Sequence, residues 1–156
     1  AKPGDRLTMS SPGAGYSPDP TADHHVLIGD ESAIPAIWSA LEALPADAAV
    51  TTIIETRSPV HRVEVPDGAA VQWVDEDHDA PGTRLVAAVD AAAWPGGRVQ
   101  VFAHGERGAM KALRPLLLER GVTRADLSLS AYWARGRTED AFQGEKRLLL
   151  GQIFPD

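Results

Sequence analysis

Five short, largely apolar segments alternate with helical segments along this chain, and this alternation constrains the fold more than any other feature. The predicted strands are His24–Ile28, Val50–Glu55, Ala70–Val74, Arg98–Ala103 and Leu127–Ala131. Nearly continuous apolar runs are typical of strands that are buried on both faces of a sheet. Strands that alternate with helices form βαβ units, which build parallel sheets. We therefore predict an α/β fold with a five-stranded parallel, doubly wound sheet.

Four helices are predicted between and after these strands. Apolar residues recur at helical spacing from Ala33 to Leu41, in Thr83–Ala93, and again between Glu106 and Gly121. The last helix is predicted over Thr138–Leu150, with Thr138 as its N-cap. Pro115 lies inside the third helix, where we expect it to remove a hydrogen bond or to kink the helix.

The net charge argues against two classes of partner. The chain has 156 residues, about one domain, and a net charge of −7. Non-specific nucleic-acid binding and binding to anionic membranes need a basic surface, so we expect neither. No apolar run approaches the roughly 18 residues that span a bilayer, so we expect no direct insertion into a membrane. Residues 106–147 nevertheless hold nine Lys or Arg against six Asp or Glu, and anionic ligands should favour this region.

The chain contains no cysteine. This excludes disulfides, thiolate metal sites and thiol nucleophiles, and it fits a reducing compartment such as the cytoplasm. Redox chemistry would therefore need a bound cofactor. Residues 1–23 are rich in Pro, Gly, Ser and Asp around one strand-like piece, Arg6–Met9, so we expect a tail or linker before the domain at 24–156.

The turn Gly29-Asp30-Glu31-Ser32 follows the first predicted strand and begins a helix. A glycine lets a ligand approach the backbone, and the N–H groups at a helix start suit a phosphate or carboxylate. The alternative is a tight turn in which Ser32 caps the helix, and the spacing leaves both open. Asp30 and Glu31 should repel a phosphate placed too close. The motifs GxGxxG and GxSxG and the phosphate-binding loop of ATPases are absent.

Arg57 and Ser58 follow the second predicted strand. At this position a guanidinium and a hydroxyl can share the oxygens of a ribose 2′-phosphate, which would favour NADPH. The alternative is an exposed arginine, with Ser58 opening a turn before Pro59.

Two groups of polar residues could suggest a metal site. The run Asp75–Asp79 lacks the ligand spacing and the central glycine of a calcium-binding loop, so we expect a solvated acidic loop. His24 and His25 are adjacent, and adjacent side chains of a strand point to opposite faces. We predict no metal site.

The segment Tyr132-Trp133-Ala134-Arg135-Gly136-Arg137-Thr138-Glu139-Asp140 follows the last predicted strand. Rings with cations beside them can stack on a flat heteroaromatic group and hold an anion. The alternative is an aromatic anchor for the final helix, with both arginines in solvent.

Three segments of the chain together resemble the siderophore-interacting protein family of NAD(P)H-dependent ferric-siderophore reductases. They are HHVLIGDESAIPAIWSALEALP, VQVFAHGERGAMKALRPLLLERGV and LSAYWARGRTEDAFQGEK. The resemblance covers residues 3–147. It implies a ferredoxin-reductase-like NAD(P)-binding domain that follows an FAD-binding β-barrel, of which residues 1–23 would be a remnant or linker. Most FAD-holding residues would then lie outside this chain.

The resemblance also implies roles for particular residues. Tyr132, Trp133 and Glu106 would act at the catalytic centre, where the two aromatic residues close the cleft near the flavin. The nicotinamide nucleotide would be bound by Gly29, Asp30, Glu31, Ser32, Ala33, Arg57, Ser58, His104, Gly105 and Glu106. The ferric siderophore, or the nucleotide, would be attracted by Arg135, Arg137, Lys146 and Arg147.

The resemblance implies that hydride passes from NADPH or NADH to FAD and electrons then pass to the ferric siderophore, which releases Fe(II). The alternative function is a stand-alone, non-catalytic nucleotide-binding or interaction module that lacks the barrel. An exposed barrel-facing surface could also support a homodimer. An unrelated hydrolase or transferase would need a nucleophile and a base that the sequence does not offer.

Overall fold

The predicted strands pair side by side in a single sheet. The structure is a computed structural model that describes residue 2 and residues 16–66, 69–146 and 148–154. Its strands are β1 (His24–Asp30), β2 (Val50–Thr56), β3 (Val71–Asp75), β4 (Val99–Glu106) and β5 (Leu127–Trp133). Its helices are α1 (Ile34–Ala43), α2 (Thr83–Ala91), α3 (Arg107–Glu119) and α4 (Glu139–Glu145). Within these ranges, no helix combines the length and hydrophobicity needed to cross a membrane.

All neighbouring strands run parallel, in the order β3-β2-β1-β4-β5. The order reverses direction between β1 and β4, so the connection after β3 crosses from one edge of the sheet to its middle. The five-stranded parallel α/β fold predicted from the sequence is confirmed.

Helices cover the sheet on both faces. On one face, α1 packs against buried side chains of the central strands: Leu27, Ile54 and Phe102. On the other face, α2 and α3 cover a larger core that includes Val26, Ile28, Ile53, Val101 and Ala103. Successive strand residues point to opposite faces, so these strands must be apolar nearly throughout.

All five strands extend further than predicted at their carboxyl ends, three of them by two or three residues. Gly29-Asp30, His104–Glu106 and Tyr132-Trp133 were expected in loops, but each lies in a strand. Their backbones are paired, for example Gly29 with His104 and Glu106 with Trp133. The prediction was wrong because polar residues and glycines suggest loops, whereas here the neighbouring strands supply the pairing.

Helix α4 is shorter than predicted, ending at Glu145 instead of Leu150. Gly144 lies in its last turn and lowers helix propensity there. The next apolar residues, 148–150, are exposed, so no packing would stabilise a longer helix. Thr138 is the N-cap as predicted, with its hydroxyl accepting a hydrogen bond from Ala141 N. Helix α3 continues through Pro115.

The residues before β1 pack against the start of β4. The side-chain oxygen of Gln100 accepts hydrogen bonds from the Tyr16 hydroxyl (3.2 Å) and from Asp19 N (2.7 Å). Arg98 forms an ion pair with Asp19 at 2.8 Å. The end of the predicted linker is therefore held on the sheet, whereas the predicted strand Arg6–Met9 lies outside the described residues.

A carboxylate of β2 holds the start of α2. Glu55 is 1% exposed and accepts hydrogen bonds from Gly82 N (2.8 Å) and Leu85 N (3.0 Å). These are donors that a helix start leaves without intrahelical partners. Burial raises the pKa of the Glu55 carboxyl, while the two N–H donors act in the opposite direction.

Glu55→Ala should lower the free energy of unfolding by about 2–4 kcal/mol, because two buried N–H groups lose their acceptor and a cavity remains. Urea unfolding followed by circular dichroism measures this loss. Glu42→Ala, an exposed position of α1, is the matched control and should change stability by less than about 0.5 kcal/mol. Equal effects of the two substitutions would contradict the capping role.

Candidate functional site

A cleft of about 410 Å³ lies at the carboxyl ends of the strands, beside the point where strand order reverses. Ligands of doubly wound sheets bind at this position. The lining residues come from the ends of β1, β2, β3 and β5: Asp30, Glu31, Ser32, Arg57, Glu76, Tyr132 and Trp133. Six of the residues predicted to bind a cofactor or act in catalysis are therefore brought together with Glu76 at one edge of the sheet.

Asp30 connects three strands at the bottom of the cleft. Its Oδ1 accepts hydrogen bonds from the backbone N–H (2.9 Å) and hydroxyl (2.5 Å) of Ser32, at the start of the 3₁₀ turn that precedes α1. Its Oδ2 accepts from Glu106 N and from the indole Nε1 of Trp133, both at 2.8 Å. The side chain is thus buried and fully engaged, so it positions the site.

Two glycines and an alanine allow the chain segments at this junction to approach each other closely. A Cβ on Gly29 would lie 2.6 Å from Ala33 Cβ and 2.9 Å from the His104 carbonyl oxygen. A Cβ on Gly105 would lie 2.6 Å from Asp30 Oδ2. Gly29, Ala33 and Gly105 are buried. We therefore infer that a glycine is needed at position 29 for the close approach of helix and strand, and not for a ligand contact.

The Glu106 side chain caps the start of α3, as the Asp30 side chain caps the turn before α1. Its Oε2 accepts a hydrogen bond from Ala109 N (3.0 Å), and its Oε1 accepts from Arg135 N (3.3 Å). The N–H groups of Ser32 and Ala109, which a phosphate could have used, therefore already bind carboxylates. The structure favours the capping alternative for the turn at Gly29–Ser32, although the cap is Asp30 and not Ser32.

Arg57 brings the only positive charge among the residues that line the cleft. Its side chain is 57% exposed, and its guanidinium carbon lies 5.9 Å from the centre of the Trp133 ring. The Nε atom lies 3.8 Å from Glu76 Oε1. Ser58 caps a 3₁₀ turn, its hydroxyl accepting from Val60 N at 3.5 Å. Arg57 and Ser58 therefore face different partners.

Glu31 and Glu76 give the cleft an acidic side. Glu31 Oε1 accepts hydrogen bonds from Arg57 N (2.6 Å) and from His61 Nδ1 (2.7 Å). Glu76 is 8% exposed at its side chain, although we expected it in a solvated acidic loop. Its position directly after β3 was the signal available in the sequence, because the carboxyl ends of parallel strands meet at one edge.

Rings form a continuous row beside the cleft. Tyr16 contacts Phe102 (ring centroids 5.2 Å apart), Phe102 stacks on His104 (4.0 Å), and His104 meets the edge of Tyr132 (4.9 Å). The His104 Nε2 is bonded to Ser128 Oγ at 3.0 Å, and its Nδ1 is buried without a hydrogen-bond partner. Burial lowers the pKa of His104 to about 4. His104 was predicted to bind the nucleotide, whereas this row of rings was not predicted.

The described members of the predicted basic patch lie beside α3 and α4, where they already have partners. The Arg135 side chain donates to the carbonyl oxygen of Asp79, and Arg137 Nε lies 2.7 Å from Glu145 Oε1. Lys146 Nζ lies 4.6 Å from the centre of the Phe142 ring. Arg147 lies outside the described residues. Arg135 also lines a second cavity of about 450 Å³ between the starts of α2 and α3.

Trp133→Phe should keep an aromatic ring in the cleft while removing the donor to Asp30. Loss of a hydrogen bond to a carboxylate predicts a decrease of about 1.5–3 kcal/mol in the free energy of unfolding. The control is Trp38→Phe, which removes an exposed indole hydrogen bond to the Glu64 carbonyl and should cost less. Urea unfolding compares the two, and an equal or larger loss for Trp38→Phe would contradict the role of the Asp30 junction.

The lowered pKa of His104 should make stability fall with acidification. Between pH 6.5 and pH 4 the unfolded state binds a proton at this residue and the folded state does not, so the folded state loses stability as pH falls. From pH 7 to pH 5 the loss from His104 should be about 2 kcal/mol. His104→Phe should show a correspondingly smaller loss in urea unfolding at the two pH values. His24 and His25 titrate in both proteins, so parallel pH profiles would refute the assignment.

Comparison with known proteins places this site in a family. The model of the siderophore-interacting protein family matches residues 22–136. An uncharacterized protein of Mycobacterium tuberculosis is 44% identical over 96% of this chain and 58% of its own length. The ferric vibriobactin reductase ViuB of Vibrio cholerae is 29% identical over 99% of this chain and 59% of its own length. The chain thus spans less than two thirds of these relatives.

A solved structure has a similar fold. The siderophore utilization protein from T. fusca is 42% identical, with a TM-score of 0.68 over 77% of this chain and 48% of that chain. The family match covers most of the sequence, including all five strands and every residue that lines the cleft. On this evidence, the chain belongs to the siderophore-interacting protein family.

Proposed function

We propose that this chain is the nicotinamide-nucleotide-binding half of an NAD(P)H-dependent ferric-siderophore reductase. Membership of the siderophore-interacting family supports a role in siderophore use, and the similarity to a ferric vibriobactin reductase supports reduction as the reaction. The chain spans 59% of that reductase, so the complete reaction belongs to a longer assembly. The partner in this proposal is an FAD-binding barrel domain.

The observation that carries the nucleotide half is the cleft at the reversal of strand order. Its position fits a dinucleotide, because the switch point of a doubly wound sheet leaves a crevice between two strand ends. Trp133 offers an indole wall and Arg57 a guanidinium beside it. Indole faces stack on flat heteroaromatic rings, and a guanidinium pairs with diphosphate oxygens. Because carboxylates cap the turn before α1 and the start of α3, the proposal gives phosphate binding to Arg57 instead of to a helix N-terminus.

When bound, the cofactors would supply the electron chemistry: NAD(P)H would give a hydride to FAD, and the two electrons of that hydride would reduce two ferric siderophores to Fe(II), one electron each. This chain orients the reactants. Asp30 holds the Trp133 indole at 2.8 Å and so fixes one wall of the cleft. Tyr132, which is exposed, offers its ring to the flavin, and Glu106 holds the backbone of Arg135. Most FAD contacts belong to the barrel in this proposal.

Anionic ferric siderophore is proposed to bind near the basic residues that follow β5. Arg137 and Lys146 are exposed, and Arg137 shares Glu145 with Arg107, whose Nη1 lies 2.7 Å from Oε2. The patch must therefore exchange an internal ion pair for the substrate. Arg135 contacts Glu106 and Asp79, and these three residues line the second cavity. We place the reaction in the cytoplasm, in keeping with a cysteine-free sequence and the supply of reduced nucleotide there.

Isothermal titration calorimetry of this chain with NADH, NADPH and FAD tests the nucleotide-binding role. We expect a reduced nucleotide to bind and FAD to bind at least about tenfold more weakly. Trp133→Ala should weaken nucleotide binding by about tenfold through the loss of stacking. Trp94→Ala, which removes an aromatic side chain remote from the cleft at Arg120, is the control and should leave binding unchanged. Failure of both nucleotides to bind would reject the proposal and favour an interaction module.

A further inference from the structure

Basic side chains around the ends of β2 and β3 are already paired with carboxylates. Four pairs show this: Arg57–Glu76 (3.8 Å), His61–Glu31 (2.7 Å), Arg62–Asp75 (2.6 Å) and His78–Glu76 (3.6 Å). An additional phosphate placed here would have to compete with a carboxylate for each basic side chain. It would also meet the remaining carboxylates at short range.

The charge of the cleft itself also disfavours an additional phosphate. Three carboxylates, of Asp30, Glu31 and Glu76, line it beside the single guanidinium of Arg57. Asp30 is compensated by its four hydrogen bonds, whereas Glu31 and Glu76 face the side of Arg57. In the proposed function, the diphosphate of the dinucleotide pairs with this guanidinium. A 2′-phosphate would add between one and two further negative charges, as phosphate monoesters do near neutral pH.

The hydroxyl predicted to help bind a 2′-phosphate has another partner. Ser58 Oγ accepts from Val60 N and so caps the 3₁₀ turn at Pro59–His61. Glu31 follows the neighbouring strand β1, and its side chain is 31% exposed. The two hydrogen bonds that it accepts, from Arg57 N and from His61 Nδ1, both go to Oε1. Its Oε2 can therefore accept a hydrogen bond from a ligand hydroxyl.

We infer that the cleft selects NADH over NADPH, with Glu31 as the specificity-determining residue and Glu76 as its support. Glu31 accepts a hydrogen bond from the 2′-hydroxyl of the adenosine ribose, and both carboxylates repel a phosphate attached there. An acidic side chain is the general means by which a doubly wound domain recognises an unphosphorylated ribose. This inference rests on the proposed function, and it replaces the expectation of a 2′-phosphate contact at Arg57 and Ser58.

Calorimetric titration of the chain with NADH and NADPH, at low and high salt, tests the inference. NADH should bind about tenfold or more tightly, and the preference should shrink at high salt because the repulsion is electrostatic. Glu31→Gln keeps the Oε1 acceptor but removes the charge, so it should reduce the preference to about threefold or less. Glu76→Gln should act in the same direction. Glu42→Gln, the same change on the exposed side of α1, should leave the preference unaltered.

The outcomes separate the inference from the proposed function. Equal or tighter binding of NADPH would overturn the inference and leave the nucleotide-binding half standing. A preference for NADH that Glu31→Gln does not reduce would overturn the role of Glu31. If neither nucleotide binds while circular dichroism shows a folded chain, the proposed function fails and the inference fails with it.

Discussion

Carboxylates at the strand ends hold the helices of this domain to its sheet. Asp30 accepts from the turn that leads into α1, Glu106 from α3, and Glu55, in the neighbouring strand β2, from α2. Each places a negative charge where the helix dipole is positive, so the sheet and the helix starts stabilise each other. Through Trp133, Asp30 also binds β5 to the centre of the sheet, and the shape of the cleft depends on that bond.

This arrangement decides what kind of anion site the fold can offer. In many nucleotide-binding domains the phosphates use the N–H groups of a helix start. Here Asp30 and Glu106 use those of Ser32 and Ala109, so under the proposed function a diphosphate would rely on a side chain. Arg57 is the cation that lines the cleft. A site that depended on one guanidinium beside Glu31 and Glu76 would be sensitive to each additional negative charge on the ligand.

The fold was predictable because it depends on local pattern: apolar runs separated by helical periodicity gave five parallel strands. The strand ends were not, because their pairing partners are remote in sequence. Asp30 and Trp133 are 103 positions apart, and no periodicity links a capping carboxylate to an indole. Thus the glycine at position 29 suggested a ligand contact, whereas the structure shows that a side chain there would collide with Ala33. The position of Arg57 at the cleft followed from strand order, but its carboxylate neighbours required the structure.

The capping of α2 by Glu55 has a consequence for the order of folding. Asp30 and Glu106 each cap the helical segment that follows their own strand, so those caps form between residues close in sequence. Glu55 belongs to β2, while α2 follows β3, and 27 and 30 positions separate it from its two donors. Helix α2 therefore acquires its cap only after the long segment between β2 and α2 has closed, at an entropic cost that local caps avoid. The pairing of β3 with β2 depends on the same segment, because β3 lies within it.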